Sequence, residues 1–401
     1  MQRAATTSPR MIVVMEAYWR GLGHTTGNAS TLRVVREAYP NEPIAFLGER
    51  DHMAAVLADL PGMTNLTTHE IEVPDEESSP YARLRQDWRN VSRAFDLMRK
   101  GTRGILVLCS AYRASLALCA MRWRLAGRPQ DRIVARLHGN LNEITSPRAR
   151  NPVRQALRLE SGLRHARRTG IRLVVLEQSI RQELLALRPE LNGHVYVLEE
   201  PPTFQPEGAL DVPQVGHAVR FAFLGVGTQD KGADRFLSAA ADVRQVVGDK
   251  AEFRMIGRLH PSLAHLPTRA LVAPPNTGAI PRRAYIEQVN QQHYVCAFYE
   301  PNYYRLGASG VLLDAIAHRK PVIVTDIPFA RDLFARFGDI GDICRSQAEI
   351  VQAVTRAATV VDPDRYRRQI DNLDKVARSR EIAVLAPRFR AIVDGNLEAG
   401  G

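Results

Sequence analysis

Two blocks of short apolar runs alternating with helical spacing, parted by a proline-rich stretch, constrain this chain more than any other feature. In the first block the runs lie at 11–15, 44–47, 104–109, 132–137, 172–176 and 194–198, with a weaker one near 66–72. Helical spacing fills the intervals at 30–38, 52–59, 81–100, 113–125, 148–168 and 179–188. Runs that are apolar throughout belong to strands covered on both faces. Such strands, separated by helices, form a parallel sheet. Between 199 and 218 the pattern stops, with Glu199-Glu-Pro-Pro and Asp211-Val-Pro reading as a linker. It restarts with strands at 219–224, 252–256, 294–298 and 321–325 and helices at 233–247, 282–291 and 309–318. Helical spacing returns over 364–396. The expected organisation is a first α/β domain over 1–200, a linker over 201–218, a second α/β domain over 219–375 and a C-terminal helix over 376–401. A length of 401 residues agrees with two domains at roughly 150 residues each.

Composition removes other classes. Charged residues make up 24% and apolar ones 45%, which excludes a wholly disordered or fibrous chain. Cys109, Cys119, Cys296 and Cys344 stand apart, so neither a disulfide scaffold nor a CxxC zinc ribbon is built from them. The longest apolar stretch, 104–121, is interrupted by Arg113, which argues against a spanning helix. The N-terminus has no long apolar core of the secretory kind. The expectation is a cytoplasmic protein with reduced thiols.

Charge is unevenly placed. Residues 37–77 hold ten acidic side chains and one basic one, whereas residues 81–172 hold 21 basic and five acidic ones. A block like 81–172 suits anionic lipid at the inner face of a membrane, a phosphorylated ligand, or simply a solvated arginine-rich face. Its aromatics do not interleave with the arginines as a base-stacking strip requires, so nucleic acid is not favoured.

Three constellations can carry chemistry. In the first, strand 294–298 leads through Arg305, Gly307, Ala308 and Ser309 into a helix containing Gly310, Val311 and Asp314. A helix start presents unpaired N–H groups, and small residues let a phosphate approach them. Arg305 can fork onto phosphate oxygens, and Asp314 can accept from ribose hydroxyls. The plain alternative is a tight turn with a solvated Asp314. The second is the loop from Gly225 through Gly227 and Lys231 to Gly232, where Lys231 is either a diphosphate cation or a solvated lysine. The third comprises Gly21, Gly23 and His24 after the first strand, and His138 after the fifth. Either histidine is an acid–base candidate or a structural residue. No HExxH, GxSxG or calcium-loop motif is present, and no carboxylate cluster suggests a metal.

The second block resembles the donor domain of the GT-B glycosyltransferases, specifically the glycosyltransferase group 1 family. Phe221-Ala-Phe-Leu-Gly-Val-Gly-Thr-Gln-Asp-Lys-Gly232 is similar to that family's strand and glycine loop. Arg254-Met-Ile-Gly-Arg258 is similar to its next strand, and Asn276-Thr-Gly-Ala-Ile-Pro281 to its base-contacting loop. Gly310-Val-Leu-Leu-Asp-Ala-Ile-Ala-His-Arg-Lys-Pro-Val-Ile323 is similar to its signature helix. The family's paired glutamates fall on Leu306 and Asp314, and its glycine-loop arginine falls on Val226. The resemblance implies two Rossmann-like domains, each a doubly wound parallel sheet, facing a cleft. It implies a retaining hexosyltransferase that takes a nucleoside diphosphate sugar as co-substrate and needs no metal. The acceptor would be a glycan or a lipid-linked sugar of cell-surface polysaccharide or glycolipid synthesis. Gly225, Gly227, Lys231, Arg258, Ile280, Gly307, Ala308, Ser309, Gly310, Val311 and Asp314 would bind donor. Gly21, Gly23, His24 and His138 would bind acceptor, and His138, Lys231 and Arg305 would serve the chemistry. The replaced glutamate keeps a catalytically silent sugar-nucleotide binder, or a GT-B epimerase or phosphorylase, as alternatives.

Overall fold

The computed structural model describes residues 10–75, 78–112, 114–139, 141–147, 150–151, 155, 158–206, 208, 210–300 and 302–396. The chain divides into two compact units, Met1–Pro201 with Ile382–Gly401, and Pro202–Glu381.

The first unit is a seven-stranded parallel sheet. Its strands are β1 (Arg10–Met15), β2 (Ile44–Gly48), β3 (Leu66–Glu70), β4 (Arg103–Leu108), β5 (Arg132–Arg136), β6 (Arg172–Val175) and β7 (Val195–Val197). They lie in the order β3-β2-β1-β4-β5-β6-β7. The helices are α1 (Thr25–Ala38), α2 (Arg50–Ala58), α3 (Pro80–Met98), α4 (Ala114–Ala126), α5 (Leu159–Thr169) and α6 (Gln178–Leu187). The expected start of α4 at Arg113, and residues 148–149, 152–154 and 156–157 of the helix expected over 148–168, lie outside the described residues.

The second unit is a five-stranded parallel sheet of β8 (Val219–Leu224), β9 (Ala251–Ile256), β10 (Tyr294–Ala297), β11 (Val322–Thr325) and β12 (Gly341–Cys344). Their order is β12-β11-β10-β8-β9. Its helices are α7 (Ala233–Val247), α8 (Arg282–Asn290), α9 (Gly310–His318), α10 (Pro328–Phe337), α11 (Gln347–Thr359) and α12 (Pro363–Arg378). The helix expected over 364–396 is broken: α12 ends at Arg378, and α13 (Ile382–Asp394) belongs to the first unit. Among the described residues, no helix or strand lies between Val197 and Val219.

Period-2 alternation explains why these sheets need helices on both sides. Phe221 and Phe223 point into one core with Phe236 and Phe253. Ala222 and Leu224, from the same strand, point into another with Leu312, Ile316 and Leu373. In the first unit Ile12, Phe46, Val107 and Val134 meet Leu32 and Val35 of α1 and Leu385 and Phe389 of α13. Each such side chain contributes about 1.5–3 kcal/mol by leaving water. Both strand orders reverse once, between β1 and β4 and between β8 and β10. At such a reversal the connections leave in opposite directions and open a crevice at the strand carboxyl ends.

Gly232 closes the second crevice tightly. It sits in the left-handed region (φ 73°), and a Cβ there would run into the carbonyl of Phe298. Gly232→Ala should therefore cost about 1–3 kcal/mol in urea unfolding. An unchanged midpoint would contradict the close approach.

Candidate functional sites in the two units

The crevice of the second unit is lined from the ends of β8, β9 and β10. Past β8 the backbone runs on beside β9. The Gly225 amide donates to the Ile256 carbonyl (2.9 Å) and the Gly227 amide to the Arg258 carbonyl (2.9 Å). This places the glycine pair next to Arg258, whose side chain is exposed. The loop then turns through Lys231 to Gly232, the N-cap of α7. Lys231 thus stands just before the helix, outside its first turn. The Glu300 amide donates to the Asp230 carbonyl (3.0 Å), joining this loop to the segment after β10. Among the described residues, no hydrogen bond or ion pair engages the half-buried Lys231 ammonium, and burial lowers its pKa.

The start of α9 is built by Ser309. Its hydroxyl accepts from the Leu312 amide (3.2 Å) and shares a 2.5 Å hydrogen bond with the Tyr299 hydroxyl. Fully buried and so engaged, Ser309 caps the helix. Ser309 satisfies the third amide, which leaves those of Gly310 and Val311 without an intrahelical acceptor. A Cβ on Gly310 would meet nothing within 4 Å, so a side chain there would be free of neighbours. Gly307 and Ala308 form the approach, with the Tyr304 ring against Gly307. Arg305 is half-buried, and its amide donates to the Asn302 carbonyl (3.4 Å). Leu306, where the family has its first glutamate, is 3% exposed. Glu300 does not replace that carboxylate, because it is ion-paired with Arg235 of α7 (2.7 Å).

Asp314 accepts from the Tyr285 hydroxyl of α8 (2.6 Å). Burial raises the Asp314 pKa, and the Tyr285 hydrogen bond works against that rise. The oxygen not bonded to Tyr285 is an acceptor. Ile280 is half-buried against the same core as Tyr285. Tyr285 had no signature in the sequence, since its partner lies 29 positions away on another helix.

In the first unit the crevice between β1 and β4 holds Glu16, fully buried. One of its oxygens accepts from the amides of Tyr18 (2.8 Å) and Trp19 (3.1 Å). The other accepts from Asn28 (3.2 Å) and from the Ser110 hydroxyl (2.7 Å). Burial raises its pKa while these bonds oppose the rise. Asn28 also donates to His52 Nε2 (2.9 Å), and His52 Nδ1 donates to the Gly21 carbonyl (2.9 Å). The Gly21 amide donates to Glu49 (3.1 Å), which also caps α2. The loop 18–24 is thereby held at both ends. The signal for Glu16 was a lone acid immediately after an apolar strand.

His24 and His138 come together, with His24 Nδ1 2.9 Å from His138 Nε2. The His24 ring stacks on Trp19 with centroids 4.0 Å apart, and Gly23 packs against the same indole. Burial, aided by the cationic Arg136, lowers the His24 pKa to about 4. Burial, then His24 and Arg136, lower that of His138 to about 3. The pair is therefore neutral at pH 7, with one N–H donating to the other ring. Whichever tautomer holds, one N–H and one lone pair remain on the outer nitrogens. The pair offers one neutral hydrogen-bond donor and one weakly basic acceptor, and no imidazolium.

No family model matches this chain, and no curated protein sequence matches it significantly. Solved structures do match its fold. An α,α-trehalose-phosphate synthase (UDP-forming) from Burkholderia vietnamiensis superposes with TM-score 0.66 at 10% identity, covering 96% of this chain and 99% of that one. The lipopolysaccharide outer core galactosyltransferase WaaB superposes with TM-score 0.66 at 12% identity, covering 96% and 100%. S. aureus TarM, solved with UDP and alpha-GlcNAc-glycerol, gives TM-score 0.61 at 9% identity, covering 96% and 100%. The chain has the GT-B fold of these glycosyltransferases.

Buried His293 and His318 of the second unit are likewise depressed by burial, to about 4 and about 3. An unfolded histidine takes up its proton near pH 6.5, so between that value and about 4 the unfolded chain binds more protons. The histidine contribution is complete above pH 6.5 and is lost as pH falls from there. Calorimetry should show Tm dropping by roughly 4 °C or more from pH 7 to pH 5. A His24→Asn/His138→Asn chain should show a shallower drop. A flat Tm, or an unchanged slope in that variant, would contradict the assignment.

Proposed function

We propose that this protein transfers a sugar from a nucleoside diphosphate sugar to a hydroxyl of a glycan or lipid-linked acceptor, in cell-surface polysaccharide or glycolipid synthesis. The observation that carries the reading is the unpaired, half-buried Lys231 ammonium in the crevice where α9 begins. An ammonium held partly out of water with no counter-charge is stabilised when an anion binds beside it. A diphosphate is such an anion and also accepts from the Gly310 and Val311 amides. In this reading Arg305 and Arg258 add cationic donors, Ile280 lies against the base, and Asp314, oriented by Tyr285, accepts from the ribose hydroxyls.

During transfer the bond between the anomeric carbon and the diphosphate oxygen breaks, and its electron pair stays on the diphosphate. The acceptor oxygen forms the new bond to that carbon and gives up its proton. Lys231 and the helix start stabilise the charge that develops on the leaving group, the task a divalent ion performs elsewhere. We take the reaction to be metal-independent on this account. His138, paired with His24, is the proposed proton acceptor on the acceptor side, with Gly21 and Gly23 shaping that loop. The transferred unit is proposed to be a hexosyl group with its configuration retained.

Lys231→Ala should lower release of nucleoside diphosphate in the presence of acceptor by about 100-fold or more. It should leave Tm unchanged or slightly raised, because an uncompensated buried charge is removed. Full turnover, or a large fall in Tm, would contradict the role. Donor binding with no release under any acceptor would instead support a silent sugar-nucleotide binder.

The basic stretch 81–172 is proposed to meet anionic lipid at the inner membrane face. Among the described residues no helix is long and apolar enough to cross a membrane. Within the stretch Tyr81, Met121 and Leu125 are exposed between arginines. Leu125→Ser should reduce cosedimentation with anionic vesicles severalfold. Equal sedimentation with neutral vesicles would contradict the proposal.

A further inference from the structure

The opposite end of the first sheet carries a cationic cavity that neither the fold nor the proposed transfer uses. Four neighbouring strands, β1, β4, β5 and β6, each begin with an arginine: Arg10, Arg103, Arg132 and Arg172. Arg132 turns back onto the carbonyls of Pro129 (2.8 Å) and Asp131 (2.7 Å). Arg10 and Arg103 are in register on adjacent parallel strands, so they stand about 4.8 Å apart and emerge on one face. Like charges so placed repel. Among the described residues no carboxylate pairs with either guanidinium.

Both arginines line an open cavity of about 630 Å³ with Arg390 of α13, Tyr39, Thr102 and Gln130. Its one carboxylate, Glu42, is bound by the Arg10 amide (2.9 Å). Arg390 lies 3.8 Å from Asp394. Tyr39 is 3% exposed, with the guanidinium carbons of Arg10 and Arg390 at 5.3 and 5.7 Å from its ring centroid. Its buried hydroxyl has no hydrogen-bond partner. Folded proteins seldom leave such a group unbonded. Arg10 and Arg103, neither ion-paired among the described residues, and Arg390 thus line one cavity that holds a single carboxylate. An anionic ligand rich in acceptor oxygens offsets that excess of positive charge.

We propose that this cavity binds a phosphoryl group. Guanidiniums fork onto phosphate oxygens. The volume admits an organic portion beyond the phosphate, so the ligand is a soluble phosphate ester or the headgroup of an anionic phospholipid. The site lies at the amino ends of β1 and β4, roughly 20 Å along the strands from the Glu16 and His24 loops. Occupancy there does not compete with donor or acceptor.

The test is isothermal titration of the full chain carrying Lys231→Ala, which weakens phosphate binding at the proposed donor crevice. Inorganic phosphate and glycerol 3-phosphate are added at constant ionic strength. Sedimentation with phosphatidylglycerol–phosphatidylcholine vesicles, against phosphatidylcholine alone, forms the second arm. Saturable binding weakened about tenfold by Arg103→Gln, and partly restored by Arg103→Lys, supports the site. Binding in the vesicle arm identifies a lipid headgroup, and binding confined to the soluble probes identifies a phosphate ester. Absence of saturable binding in both arms overturns the site, as does binding unaltered by Arg103→Gln and Arg10→Gln. Arg103→Gln with Lys231 intact should release nucleoside diphosphate at the parent rate, so loss of this site and loss of transfer are read separately.

Discussion

The approach of Gly232 to the Phe298 carbonyl organises the crevice of the second unit. A side chain at that point would hold α7 away from β10. With none, the start of α7 presses on the end of β10, and the Asp230 carbonyl takes the Glu300 amide. Lys231, in the loop so joined to the segment after β10, is half-buried. The crevice at the β8–β10 reversal thus receives a cation and a helix start from separate parts of the chain, through backbone geometry alone.

The treatment of charge elsewhere makes that cation informative. Buried Arg136 is paired with Glu200 at 2.6 Å and bonded to the Thr31 hydroxyl. Glu16 has partners on both oxygens, and Arg388 of α13 meets buried Glu199 at 2.8 Å. His24 and His138 are kept neutral and bonded to each other. Each of these arrangements offsets desolvation with a specific partner. Lys231 in one unit, and Arg10 with Arg103 in the other, have no such partner among the described residues. Arg10 and Arg103 line an open cavity.

The strands were legible because parallel sheets covered on both faces demand unbroken apolar runs, and β1, β2, β4, β8 and β10 supply them. β12, Gly-Asp-Ile-Cys at a sheet edge, carries no such run and was not expected; α10 and α11, on either side of it, were missed with it. The glycine loops and the helix start at Ser309 were visible as local patterns. What those residues do was not visible. The hydroxyl of Ser309, a residue expected among those that bind the sugar donor, is engaged by the cap and by Tyr299. Partners distant in sequence decide the rest: Ser110 for Glu16, His138 for His24, Tyr285 for Asp314. No local spacing encodes pairings of that range.

The central claim is that a diphosphate is bound by the start of α9 together with Lys231. A crystal structure with nucleoside diphosphate soaked in tests it most directly. The account predicts diphosphate oxygens within hydrogen-bond distance of the Gly310 and Val311 amides and of Lys231 Nζ, with a ribose hydroxyl on Asp314. Nucleotide bound elsewhere while those three groups remain unengaged would contradict it.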